Sequence, residues 1–261
     1  MLFKIFFSSL FFSAAIASAE PIQIKLKLIE IKGAQLARES LPDEKLKIVD
    51  RDLNRKQLDV FRLIVQNFNT THDTIIDEIF QPLHLKKKFD VQVVATSGVP
   101  SPYDAWTASH NGIHTIFFNL DEWPEGQLQK SGSAVLNHEV THILLKPLLR
   151  RPKASNFIEQ LDYIVINEGV AHFVGYPKDR NSLLSNRKSE CEKAELELKS
   201  AKQKLEDSRI DRSVKAELLK RSNTGPFWEK YGAMSGMCRA AKIYSTQGVA
   251  ALTNSIKSGR L

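Results

Sequence analysis

The chain has 261 residues, 42% hydrophobic and 26% charged, with His 7, Cys 2 and a formal net charge of +7. This is enough apolar material for a sizeable globular core, and it excludes a disordered, fibrous or disulfide-dense scaffold. The basic residues are scattered, with Lys86-Lys87-Lys88 the densest run, so the charge reads as solubility and no nucleic-acid partner is expected.

Residues 1–19 read as a cleavable signal peptide. Lys4 gives the positive start, an apolar stretch runs to Ile16, and Ala17-Ser18-Ala19 is a small-x-small cleavage site. The apolar stretch is shorter than the about 20 residues of a membrane span and is interrupted by Ser8, Ser9 and Ser13. The expectation is export to the periplasm or beyond, with no stable membrane anchor and a monomeric mature chain.

Ile22 to Leu28 alternates apolar and polar residues, as a half-buried strand does. About Asp52 to Phe80 reads as helical, with Asn69-Thr70-Thr71-His72 a candidate interruption. His72 and His84 have no partners at ligand spacing. Phe89 to Thr96 predicts a second strand, Ser97 to Pro102 a loop, and Asn111 to Leu120 a further strand that precedes the next helix by one loop, Asp121 to Ser131.

Ala134 to Leu145 is apolar around most of its circumference, which predicts a buried helix, and Lys146-Pro147 marks its end. Within it stands His138-Glu139-Val140-Thr141-His142. Residues four apart share a helix face, so both imidazoles point the same way and suit two corners of a Zn²⁺ site, with Glu139 available as general base. Two core histidines bonded to neighbours are the alternative, but a metal removes the cost of burying unpaired polar groups. A second apolar run leads into Asn167-Glu168-Gly169-Val170-Ala171-His172. A carboxylate buried there calls for a partner, and Glu168 is the expected third ligand, leaving a fourth position for water.

From Asn186 to Ser222 the chain is dense in Lys, Glu and Arg, with Cys191, Ala194, Leu198, Ala201 and Leu205 three and four apart. Ile210, Val214 and Leu218 continue on a second phase after Asp207-Ser208, predicting an antiparallel helical hairpin. Thr224-Gly225-Pro226 breaks it; one helix is expected from Phe227 and a final one from Gly248 to Ile256. In an exported chain Cys191 and Cys238 invite a disulfide, two buried thiols being the alternative.

His138-Glu139-x-x-His142 followed by Asn167-Glu168-Gly169-x-Ala171 resembles the gluzincin clan of zinc metallopeptidases, which includes thermolysin-like proteases and aminopeptidases. The second motif is closer to the aminopeptidase form. Thermolysin-like members carry an Asp four residues after the glutamate ligand, where this chain has His172. The motifs cover about forty residues. The resemblance implies an α+β, zincin-like fold: a small mixed or antiparallel sheet packed on the active-site helix, followed by a mainly helical C-terminal part. It divides the chain into the signal peptide (1–19), a zincin-like catalytic core (20–182), the charged hairpin (183–223) and C-terminal helices completing the core (224–261).

It also implies that the strand at Gly112, Ile113 and His114 edges the cleft and pairs with extended substrate. Tyr176 and Tyr231 become candidates to face the substrate carbonyl, with packing in the core as the alternative for each. His172, one turn beyond Glu168, is expected to support a ligand or to donate to the transition state. The function expected is a zinc-dependent peptidase with one Zn²⁺ per chain, acting on a peptide or protein through zinc-bound water and Glu139. A zinc-containing peptide-binding protein without turnover and a zinc hydrolase of non-peptide cell-wall amides are the alternatives.

Overall fold

A computed structural model describes residues 22–30, 33–41, 47–49, 51–83, 85, 88–101, 103–110, 112–176 and 180–261. The stretch expected to be a signal peptide (1–19), His84, Asn111 and the Lys86-Lys87 part of the basic run lie outside the described residues.

The N-terminal half alternates strands and helices: β1 (Gln23–Ile29), α1 (Gly33–Ser40), α2 (Arg55–Thr70), α3 (Thr74–Phe80), β2 (Lys88–Thr96), β3 (Ala105–His110) and β4 (Ile113–Asn119). Helices follow: α4 (Glu125–Leu145), α5 (Phe157–Gly175), α6 (Leu183–Asn186), α7 (Lys188–Glu206), α8 (Arg212–Asn223) and α9 (Tyr231–Ser258). The architecture is α+β, a small mixed four-stranded sheet with a mostly helical C-terminal part.

Alternation in β1 buries Ile24 and Leu26 on one face. The Asn69 carboxamide accepts from the Leu26 N–H at 2.8 Å and donates to its carbonyl at 2.9 Å, binding α2 to the strand. Asn54 and Asp73 cap α2 and α3 by accepting from backbone N–H groups one turn on, which explains the break between these helices.

The strand order is β1-β2-β4-β3; β1–β2 and β2–β4 are parallel, β3–β4 antiparallel. This corrects the expectation for Gly112, Ile113 and His114. His114 pairs with Val91 on one side and Ser109 on the other, so β4 is an inner strand and the outer edge belongs to β3. The reason is local: Gly112, at φ 76°, turns the chain back on itself, and β3 takes the position that substrate was expected to fill.

α4 begins at Glu125, inside the stretch read as a loop, because Pro124 precedes its first turn and Gly132 packs against the terminal methyl of Ile64 in α2, which a Cβ would push aside. The hairpin forms as expected on the α7 side, burying Ala194, Leu198, Ala201 and Leu205. On α8 the buried residues are Leu219 and Ser222, whereas Val214 is exposed. A single turn of 3₁₀-helix at Phe227–Glu229 precedes α9, and within α9 the helical backbone is interrupted at Gly248 (φ 81°, ψ 174°), where the two expected C-terminal helices meet.

The main core runs from Ile22 to Ile256 and joins the sheet to α2, α3, α4, α5 and α9. A second cluster (Leu161, Val165, Leu198, Ala201, Leu205, Leu219 and Tyr231) seats the hairpin on α5 and α9, each large side chain contributing about 1.5–3 kcal/mol. The expected disulfide Cys191–Cys238 joins α7 to α9 with a Cα separation of 5.8 Å.

Candidate metal centre

Leu136, Val140, Ile143, Leu144 and Leu145 bury α4 on the core side, as their spacing requires, and bring His138 and His142 together on the remaining face. α5 has two glycines that admit close approach, one towards that face and one towards α9. A Cβ at Gly175 would meet the Ala134 carbonyl and the His138 side chain. A Cβ at Gly169 would fall onto the backbone of Gly236 in α9. Gly169 thus lets α9 press on α5 one residue after Glu168.

The three predicted ligands converge. His138 Nε2 and His142 Nε2 are 2.9 Å apart, and Glu168 Oε2 lies 3.7 Å from the first and 3.5 Å from the second. These edges bracket the about 3.3 Å expected between donors on a tetrahedral zinc, given bonds near 2.0–2.1 Å. His142 Nδ1 is buried and makes no hydrogen bond among the described residues. Asn167 donates to the other Glu168 oxygen at 3.4 Å. The group could hold a metal ion.

The electrostatics follow from burial and mutual proximity. Burial holds His138 well below the usual histidine range, helped by the neighbouring His172 and His142. Burial alone would depress His142 too, but the Glu168 carboxylate overrides it and lifts this imidazole to about 9. Glu168 in turn is opposed by burial and drawn down to about 2 by His142. Glu139, 6% exposed, is pushed up to about 7 by burial; His142 opposes the rise, and Glu168 and Asp104 add to it. A carboxyl poised near neutrality beside the ligands can take up and release a proton.

The remaining predicted residues divide. The His172 ring packs 4.4 Å from that of His138 and 5.2 Å from Phe227, and burial with the charge of Lys230 lowers it to about 3. Its contact with a ligand is ring packing; among the described residues it makes no hydrogen bond to Glu168. Tyr231 is not brought to the ligand group: its hydroxyl donates to the Leu218 carbonyl at 2.6 Å inside the second cluster, because α8 folds back across the start of α9. The Tyr176 hydroxyl is paired with Arg187. Gly112, Ile113 and His114 remain at the turn into β4, with His114 6.5 Å from the Phe89 ring.

Asp104, Phe227 and Lys230 are site neighbours that sequence reasoning missed. Each comes from a loop or turn, where no periodicity reports what the chain will face. No protein-family model, curated protein or solved structure matches the chain. Fold and centre together define an α+β protein with a His-His-Glu group able to hold a metal ion.

Proposed function

We propose that this protein is an exported zinc-dependent metallopeptidase of the gluzincin type, acting on peptide or protein substrates. The observation that carries the reading is the convergence of His138, His142 and Glu168, within 4.8 Å of one another, beside the buried Glu139. Two imidazoles and one carboxylate are the donor set of a catalytic zinc site with a position left for water, and one ion per chain is the stoichiometry. A mixed sheet edged by an antiparallel strand and followed by the His-Glu-x-x-His helix supports a zincin-like core. The Cys191–Cys238 disulfide supports an oxidising compartment. No helix among the described residues is long and apolar enough to cross a membrane.

His138, His142 and Glu168 would hold the ion. Bound zinc supplies Lewis acidity towards a carbonyl and an acidified water. Glu139 takes the proton from the attacking water and returns it to the departing amine; its rise to about 7 suits both transfers. Asn167 steadies the free oxygen of Glu168, and His172 fixes the ring plane of His138. Among the described residues no strand pairs with the outer edge of β3, which is where an extended peptide would add, and Asp104, just before that strand, already acts on Glu139.

Glu139→Gln is the test. Zinc content should stay at one ion per chain while peptide hydrolysis falls by about 10²–10⁴-fold. Undiminished hydrolysis would remove Glu139 from the mechanism, and a zinc-loaded wild-type protein that cleaves nothing in a broad peptide library would remove the peptidase reading.

A further inference from the structure

One flank of the ligand group carries an exposed aromatic ring. The Phe227 ring lies 5.2 Å from that of His172, and His172 lies 4.4 Å from the ring of His138. The three ligand side chains keep 12–17% of their surface open to solvent, so the group can be reached from outside. Phe227 is 41% exposed, the one aromatic among the large exposed hydrophobic side chains described.

The chain fixes this ring before any ligand arrives. Gly225, at φ 109°, and Pro226, at φ −57°, set the turn, and the Glu229 N–H donates to the Pro226 carbonyl at 2.9 Å. Trp228 packs against the main core and lies 5.4 Å from Phe227, with the Arg187 guanidinium 5.7 Å over its own ring. Arg187 is tied to Glu190 at 3.0 Å. His172 and Trp228 stand at 82° and 80° to the Phe227 ring, which is therefore propped and not sandwiched. An apolar surface held in place in this way adds no ordering cost of its own when a ligand lands on it.

We propose that Phe227 is a specificity-determining residue, whose open surface receives a large apolar side chain of the substrate residue adjoining the scissile bond. The inference rests on the peptidase reading above and supplies the substrate class which that reading leaves open: peptides cut beside aromatic or large aliphatic residues. A substrate ring packs on Phe227 at a centroid distance of about 4.5–7 Å. With Phe227 two ring contacts from His138, that place falls to the side chain next to a carbonyl held at the ligands. The neighbouring rings do not compete for it. Trp228 is covered by Arg187, and Tyr231 is buried in the second cluster.

A cleavage profile of the full zinc-loaded protein tests it first, and should show a large apolar residue on one side of the cut. Two peptides are then matched except at that position, Phe in one and Ala in the other. Wild type should favour the Phe peptide in kcat/KM by at least about tenfold, the low end for an apolar pocket. Phe227→Ala should erase most of that ratio, and Phe227→Leu should keep most of it. A second readout needs no turnover: in a Glu139→Gln background, calorimetry should show the Phe peptide bound more tightly than the Ala peptide, and Phe227→Ala should close the gap.

A ring that only supports His172 would lower both peptides equally in Phe227→Ala, and that result overturns the inference. So does an unchanged ratio, or a wild-type profile without apolar preference; in each case the peptidase reading stands. If Phe227→Ala does not fold, Phe227→Gln replaces it with the same expectations. A wild type that binds the Phe peptide through Phe227 and cuts nothing removes the peptidase reading and leaves the apolar subsite. A wild type that neither binds nor cuts removes both.

Discussion

Arg180 and Glu168 both bear on α5, and the chain treats the two charges in opposite ways. Around Arg180 the acceptors are the Phe173 carbonyl at 3.1 Å, the Val174 carbonyl at 2.6 Å and Asp73 Oδ2 at 2.5 Å. The last turn of α5 and the residue capping α3 thus converge on a cation that the protein itself supplies, stacked 6.0 Å from the Phe173 ring. Around Glu168 two imidazole nitrogens and a carboxylate oxygen converge, and their ion pairs among the described residues are with one another. Buried polar groups that consume one another's capacity are scaffold. Two imidazoles and a carboxylate that pair only with one another, with no arginine or lysine between them among the described residues, can receive a cation from outside once His142 has given up its proton.

Removing the carboxylate should have the largest effect. Glu168→Ala is expected to weaken zinc binding by more than about 10²-fold, beyond the 10–100-fold typical of groups that only support a ligand. A zinc titration against a competing chelator measures it, and unchanged affinity would break the comparison. Acid should act next. His142 is protonated below about 9 and must give up that proton to coordinate. His138 stays neutral and Glu168 stays ionised near neutral pH, so neither adds a proton. Zinc affinity should therefore fall as pH drops below about 9, by about tenfold per unit near pH 8 with one proton released per ion, and more steeply below about 7, where Glu139 also takes up a proton. Calorimetry in buffers of different ionisation enthalpy counts that proton; a count of zero would remove the His142–Glu168 pairing.

The smallest effect belongs to the scaffold cluster. Arg180→Met should cost about 1–3 kcal/mol of stability by urea denaturation, the range for hydrogen bonds to a charged group, and leave zinc affinity intact. A loss of zinc binding without a loss of stability would reverse the roles assigned to the two clusters.

How much of this was legible in the sequence depends on how local the determinant is. His138 and His142 are four residues apart on one helix, so their convergence needs no tertiary information. Glu168 was legible through its setting, a carboxylate in an apolar run. The edge strand was not: Ala105-Trp106-Thr107-Ala108-Ser109-His110 has little apolar weight of its own and becomes a strand by pairing with β4. Tyr231 illustrates the same limit from the other side. The resemblance makes its phenol a candidate to face substrate, with packing in the core as the other reading; the structure packs it, on a carbonyl thirteen residues earlier that no spacing singles out. Lys230 and Phe227 likewise acquire meaning from where α9 begins against α5. On α8, Val214 fits the heptad stripe yet lies exposed, because Leu219 and Ser222 face the body instead.

The glycine crossing has a consequence for timing. The helices bearing His138, His142 and Glu168 are synthesised before α9, yet Gly169 finds its resting place only against Gly236, two residues before the cysteine that locks α9 to α7. A nascent chain would carry the complete motif with its third ligand unsupported. The segment that carries the third ligand is in this way seated only once the later helix has docked.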